Sequence, residues 1–230
     1  MKNELYIVIG AYGSGKSEYS IHLARKLNGE GLDVVLADMD VVNPYFRSRD
    51  VKDEFAAIGI DVIAPEGAFK HADLPMLSPR IKGAIQNQSK TVILDVGGDP
   101  AGCRTLGRFE EQIKARGYRM LHVVNTLRPF TTTAEEILTM KQQLEFTSHL
   151  QISEFVCNTN LMEYTTPELV EDGLRTVKKA ADTAKLPLNT YLVLSLYASR
   201  IPDALLGLRR EVMDYTLSKP WEMVMARGLI

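Results

Sequence analysis

LYIVIGAYGSGKS, residues Leu5 to Ser17, is the stretch that decides the fold. An apolar run from Leu5 to Ile9 breaks at Gly10 and gives way to a turn carrying Gly13, Gly15, Lys16 and Ser17. This is the pattern of a buried strand delivering a loop onto the start of a helix, G-x-x-x-x-G-K-[ST]. Glycine at the corners admits positive φ and close approach. Successive backbone N–H groups of Gly10, Ala11, Tyr12, Gly13, Ser14 and Gly15 can then point at phosphate oxygens. The helix opening at Lys16, Ser17 and Glu18 adds unpaired N–H groups and the positive end of its dipole. Lys16 is placed to reach the β- and γ-phosphates, and the Ser17 hydroxyl to ligate Mg²⁺.

Working outward, strand and helix patterns alternate. Tyr19, Ile21, Leu23, Ala24 and Leu27 have helical spacing that stops at Asn28-Gly29. Val34 to Ala37 is a short, wholly apolar run of the kind buried on both faces of a parallel sheet, and it ends in Asp38 and Asp40. A helix over 51–58 and a strand over 62–64 follow, then an irregular loop, Pro65 to Pro79, read as a mobile segment near the ligand. A helix over 80–86 precedes the strand 91–94, which ends in DVGGDPAG, Asp95 to Gly102. Further helices are expected over 105–115, over 134–146 with Thr133 and Glu136 spaced as a capping box, and over 167–184 with Thr166 as N-cap and Pro167 at its first position. Strands are expected over 120–124, 152–157 and 191–194, and helical segments from about Asp203 onward. The expected fold is therefore α/β, a mostly parallel twisted sheet with helices on both faces, in a single domain over residues 1–230. Ligands in such sheets collect at the carboxyl ends of the strands. There the conspicuous polar residues fall: the loop, Asp38, Asp40, Asp95, Asn125 and Asn158.

With 27 basic and 29 acidic residues and a net charge of -2, the balance does not call for nucleic acid or an anionic membrane as partner. Two cysteines, Cys103 and Cys157, are too few for a disulfide framework and form no C-x-x-C pair. With no signal-peptide layout and no apolar run near ~18 residues, the expectation is a soluble, cytoplasmic protein without stable membrane insertion.

Hydrolysing a nucleotide requires a metal between the β- and γ-phosphates, positive charge on the developing oxyanions and a group that orients water. Asp95 fits the carboxylate that serves Mg²⁺, and Gly98 can offer its N–H to a γ-phosphate, making D-x-x-G a switch ordered by the triphosphate. Asp38 and Asp40, one residue apart, face the same side of an extended backbone. Their repulsion calls for a cation between them. Asp40 is assigned to the attacking water and Asp38 to the metal. The plainer alternative for each carboxylate is a cap on the turn that follows it.

GAYGSGKS, DMD and DVGGDPAG, in that order, resemble the MinD/ParA/CobQ-type branch of P-loop ATPases, which includes nitrogenase iron protein. The resemblance implies a homodimer closing across two ATP molecules, Asp40 orienting water and Asp95 serving Mg²⁺. It also implies that Asn158 reads the base. No N-K-x-D follows, so adenine is favoured over guanine. Where many members carry a second loop lysine that crosses to the partner's phosphates, this chain has Ala11-Tyr12. Arg47, Arg49, Arg104 and Arg108 are the candidates for the missing cation. The iron protein's cluster cysteines are absent, and Cys103 is expected to be a packed thiol. His71 is expected to be a solvated loop residue, and the apolar end, PWEMVMARGLI, to pack on the domain or a partner.

Together these readings describe an Mg²⁺-dependent protein that binds ATP and ADP, hydrolyses ATP slowly and switches an unidentified protein partner. A small-molecule kinase or ATP-dependent ligase, and a scaffold that binds nucleotide without turnover, are the alternatives.

Overall fold

The computed structural model describes residues 3–40, 51–64, 78–98 and 100–217, with the backbone alone for 100 and 101. Among the described residues nine strands form one sheet: β1 Leu5–Ile9, β2 Val34–Met39, β3 Asp61–Ile63, β4 Thr91–Val96, β5 Arg119–Val124, β6 Glu154–Cys157, β7 Leu188–Leu194, β8 Ala204–Leu205 and β9 Leu208–Met213. Their order is β3-β2-β4-β1-β5-β6-β7-β9-β8, and every neighbouring pair is parallel except β8 with β9. The helices are α1 Lys16–Gly29, α2 Lys52–Ala57, α3 Arg80–Gln86, α4 Pro100–Cys103, α5 Glu110–Arg116, α6 Ala134–Ser148 and α7 Pro167–Ala184.

Alternate residues of the central strands go to opposite faces. On one face Val8, Leu36, Ile93 and Leu121 pack with Ile21, Leu23 and Leu27 of α1 and Phe55 of α2. On the other, Ile7, Val35 and Leu94 meet Ile81 and Ile85 of α3, Ile113 of α5 and Leu144 of α6, while α7 covers β6 and β7 through Val170, Leu174 and Val177. Both faces are therefore covered, which is why these strands read as unbroken apolar runs. β1 lies centrally, and the chain moves from it first toward β2 and later toward β5. The loop after β1 thus opens at the switch point of the sheet, the crevice where ligands bind.

Two expected elements differ. The helix expected over 105–115 is instead a 3₁₀ stretch Arg104–Phe109 followed by α5. Gly107 weakens a continuous helix, and the Thr105 hydroxyl donates to the Gly102 carbonyl at 2.6 Å. From Asp203 onward the chain forms the hairpin β8–β9, not the expected helix. Leu206 and Gly207 both have positive φ, 49° and 79°, as a two-residue hairpin turn of the primed kind demands. β9 then pairs with β7. The caps of α6 and α7 form as expected: Thr133 and Thr166 accept from the N–H groups of Glu136 and Leu169. Glu136 reaches past the cap, however, and its carboxylate takes the N–H and hydroxyl of Thr132.

Among the described residues no helix is long and apolar enough to cross a membrane. Cys103 and Cys157 are buried and form no disulfide with one another. Asn43 to Arg49, the loop around His71 and the apolar C-terminal segment lie outside the described residues.

Candidate nucleotide-binding site

The loop between β1 and α1 is shaped by its own backbone. Ser14 N–H donates to Ala11 O at 3.0 Å, and Gly15, the residue before the helix, has φ 87°. Only glycine fits there without strain, and a Cβ would also meet Asn158 Nδ2 at 2.2 Å. Asn158 comes from the end of β6, and its Nδ2 donates to Ser14 O at 2.7 Å. Its Oδ1 is buried without a hydrogen-bond partner. In this arrangement Asn158 braces the loop. Nδ2 is committed to this brace, which leaves the Oδ1 acceptor for a donor on a ligand.

The carboxylates meet at the adjacent strand ends. Asp38 of β2 and Asp95 of β4 are register partners on neighbouring parallel strands, and Val8 lies opposite Asp95 on the other side. Strand spacing sets their backbones ~4.8 Å apart on the same face. Asp40 follows two residues later, its N–H donating to Asp38 Oδ1 at 3.0 Å. Lys16 Nζ lies 3.3 Å from Asp40 Oδ2, with both side chains buried. A buried pair of this kind is costly to break by removing one partner alone. A phosphate oxygen is the natural replacement partner for the lysine.

Asp95 is fully buried, and neither of its oxygens has a hydrogen-bond partner. Burial pushes its carboxyl up to about 7; Lys16 and the nearby Ser17 hydroxyl draw it down, while Asp38 and Asp40 push it further up. An orphaned acid beside a serine hydroxyl and a second carboxylate is a donor set that fits a hard divalent cation. Ser17, Asp95 and Asp38 are the residues that would hold Mg²⁺. Among the described residues no three or more His, Cys, Asp or Glu side chains are grouped to hold a metal by themselves.

Gly98 lies directly on the loop. A Cβ there would come 2.7 Å from Gly10 O and 2.9 Å from Tyr12 N, so no other residue fits. At Gly98 the chain after β4 therefore approaches the loop backbone without an intervening side chain. Glu18 turns elsewhere: its carboxylate accepts the N–H groups of Thr216 and Leu217. Burial pushes that carboxyl up to about 6, against the pull of these two N–H groups. The site thus gathers the loop, Lys16, Ser17, Asp38, Asp40, Asp95 and Gly98, while Asn158 and Glu18 serve as braces.

Sequence reasoning missed Arg128, in the loop after β5, whose Nε donates to Gly13 O at 3.2 Å. No motif surrounds it in the chain. Arg104 and Arg108 are exposed on the 3₁₀ stretch.

A strand-loop-helix with Lys16 and Ser17 at the switch point of a parallel sheet, and Asp95 at the end of a neighbouring strand, defines the P-loop NTPase fold. Solved structures agree. FtsY from Thermotoga maritima superimposes with a TM-score of 0.57 at 17% identity, over 83% of this chain and 62% of that one. FtsY from Mycoplasma mycoides gives 0.56 at 12%, over 82% and 59%. The signal recognition particle 54 kDa protein from Aeropyrum pernix, solved in complex with GDP, gives 0.52 at 16%, over 82% and 41%. The chain thus spans between 41% and 62% of the length of these structures. A tRNA dimethylallyltransferase of Staphylococcus aureus is 25% identical over 243 residues, covering 99% of this chain and 72% of that protein. No protein-family model matches the chain. These likenesses support the P-loop NTPase fold and not the narrower MinD/ParA/CobQ resemblance.

Proposed function

We propose that this protein is an Mg²⁺-dependent ATP-binding protein and slow ATPase, acting as a nucleotide-dependent switch for a protein partner in the cytoplasm. The observation that carries the reading is the contact of Gly98 with Gly10 and Tyr12. A triphosphate entering the loop has to be felt at Gly98, where no side chain is present to absorb a shift. Lys16 leaves Asp40 for the phosphates. Asp40, released, stands at the strand end to orient water, and Asp38, Asp95 and Ser17 would hold Mg²⁺. When bound, the ion would supply positive charge at the terminal phosphates and favour the charged form of the Asp95 carboxyl. Adenine and a homodimer closed over the nucleotide rest on the resemblance of the motifs.

The test is the solution mass of Asp40→Ala with Mg·ATP, Mg·ADP or neither, by size exclusion with light scattering, beside ATP and GTP turnover of the parent. The expected result is a dimer with ATP only, turnover in the parent and none in the variant. Parental turnover by Asp40→Ala removes its assigned role.

A second reading is favoured by a cavity of about 680 Å³ beside the loop, lined by Ala11, Tyr12, Gly98, Pro129, Phe130 and Met140. A small-molecule acceptor seated there would make the protein a transferase, the class to which the Staphylococcus relative belongs by name. Product formation that requires a second substrate separates this reading from a switch.

A further inference from the structure

The loop between β5 and α6 is built with unusual rigidity for a connection. Asn125, buried at the end of β5, accepts from Leu127 N–H through Oδ1 at 3.0 Å and donates through Nδ2 to Asn160 O at 2.9 Å. Arg128 N–H donates to Asn125 O at 3.2 Å. The Thr131 hydroxyl, also buried, bridges the carbonyls of Asn125 and Arg128 at 2.8 and 3.1 Å. Phe130 is held at φ 67°, a conformation that non-glycine residues seldom adopt and that persists only where the surroundings enforce it.

This frame presents Arg128 to the phosphate loop. Its Nε is tied to Gly13 O, and a Cβ on Gly13 would meet Arg128 Nε at 3.1 Å and Cδ at 3.3 Å. Its guanidinium forms no ion pair with a carboxylate among the described residues. A permanent positive charge with a planar fork of donors is thus anchored on the middle of the loop. Transferring phosphoryl groups from nucleotides draws on such a charge, supplied either by the same chain or by a partner.

We infer that Arg128 contacts the terminal phosphate of a triphosphate held in its own chain's loop, with Nε on Gly13 fixing the fork and the terminal nitrogens serving the phosphate. The inference rests on the nucleotide-binding reading above. Arg128 is then a residue that distinguishes triphosphate from diphosphate.

The test is the affinity of the parent, Arg128→Ala and Arg128→Gln for Mg·ADP and for a non-hydrolysable Mg·ATP analogue, by titration calorimetry, with thermal midpoints as a folding control. Glutamine can still donate to Gly13 O but carries no charge, so it separates bracing from charge. Both variants are expected to bind the triphosphate about 10- to 100-fold more weakly, as for a lost charge-assisted contact, and the diphosphate nearly as the parent does. A glutamine variant with the parent's preference, or an equal loss for both nucleotides, overturns the inference and leaves Arg128 a brace. A parent that binds neither nucleotide overturns the phosphate-loop reading itself.

Discussion

Asp95→Asn is expected to make the metal-free protein more stable while removing the Mg²⁺-dependent part of nucleotide binding. In the folded protein burial lifts the Asp95 carboxyl from 3.8 to about 7. Below 3.8 it is protonated in both folded and unfolded chains. Between 3.8 and 7 the unfolded chain ionises and the folded one does not, so stability falls as the pH rises. Above 7 the buried charge costs its full amount, about 4 kcal/mol from the difference between the two values. Asparagine removes that charge but leaves an amide without partners, which returns about 1–3 kcal/mol. The net gain at pH 8 is about 1–3 kcal/mol, or roughly 2–12 °C in the thermal midpoint for a chain of this size. Scanning calorimetry of both proteins in a chelator at pH 8 and pH 4 reads this directly. The variant should be more stable at pH 8, and its advantage should be gone at pH 4. An asparagine variant that melts below the parent at pH 8, or a difference that ignores pH, refutes the account of Asp95 as an unpaired buried acid awaiting a cation.

Two other outcomes follow from the packing. Gly98→Ala has to move the backbone of the phosphate loop by several tenths of an ångström, since its Cβ would fall 2.7 Å from Gly10 O. The expected cost is about 1–3 kcal/mol of stability, with at least tenfold weaker triphosphate binding in the same calorimeter; unchanged binding would mean that the segment after β4 does not sense the loop. His122 is fully buried on β5, without hydrogen-bond partners and tilted against Phe155 at 5.3 Å. Burial, with a smaller push from Lys141, lowers its imidazole from 6.5 to about 3, so its contribution is present above 6.5 and lost as the pH falls toward 3. His122→Leu should therefore flatten the acid side of the stability profile between those values, by up to about 5 kcal/mol, in urea titrations at stepped pH.

The sheet, its helices and the phosphate loop were legible in the chain because each depends on local chemistry. Apolar runs bounded by glycine name buried strands, Thr166-Pro167 names a helix start, and Gly10 to Ser17 can form little else between a strand and a helix. Asp38, Asp40 and Asp95 were legible for the same reason: each closes an apolar run, and parallel strands bring such ends together. The hairpin after Asp203 was not, since pairing β9 with β7 is a long-range choice that overrides any local helical preference. Nor was the division of labour at the site. Only the register of β2 against β4 sets Asp38 beside Asp95. Only tertiary packing turns Asn158 inward onto Ser14, Glu18 away toward Thr216 and Leu217, and Arg128 onto Gly13. Sequence spacing carries the backbone's own periodicity; contacts more than a hundred residues apart are decided by which surfaces the folded sheet brings within a few ångströms.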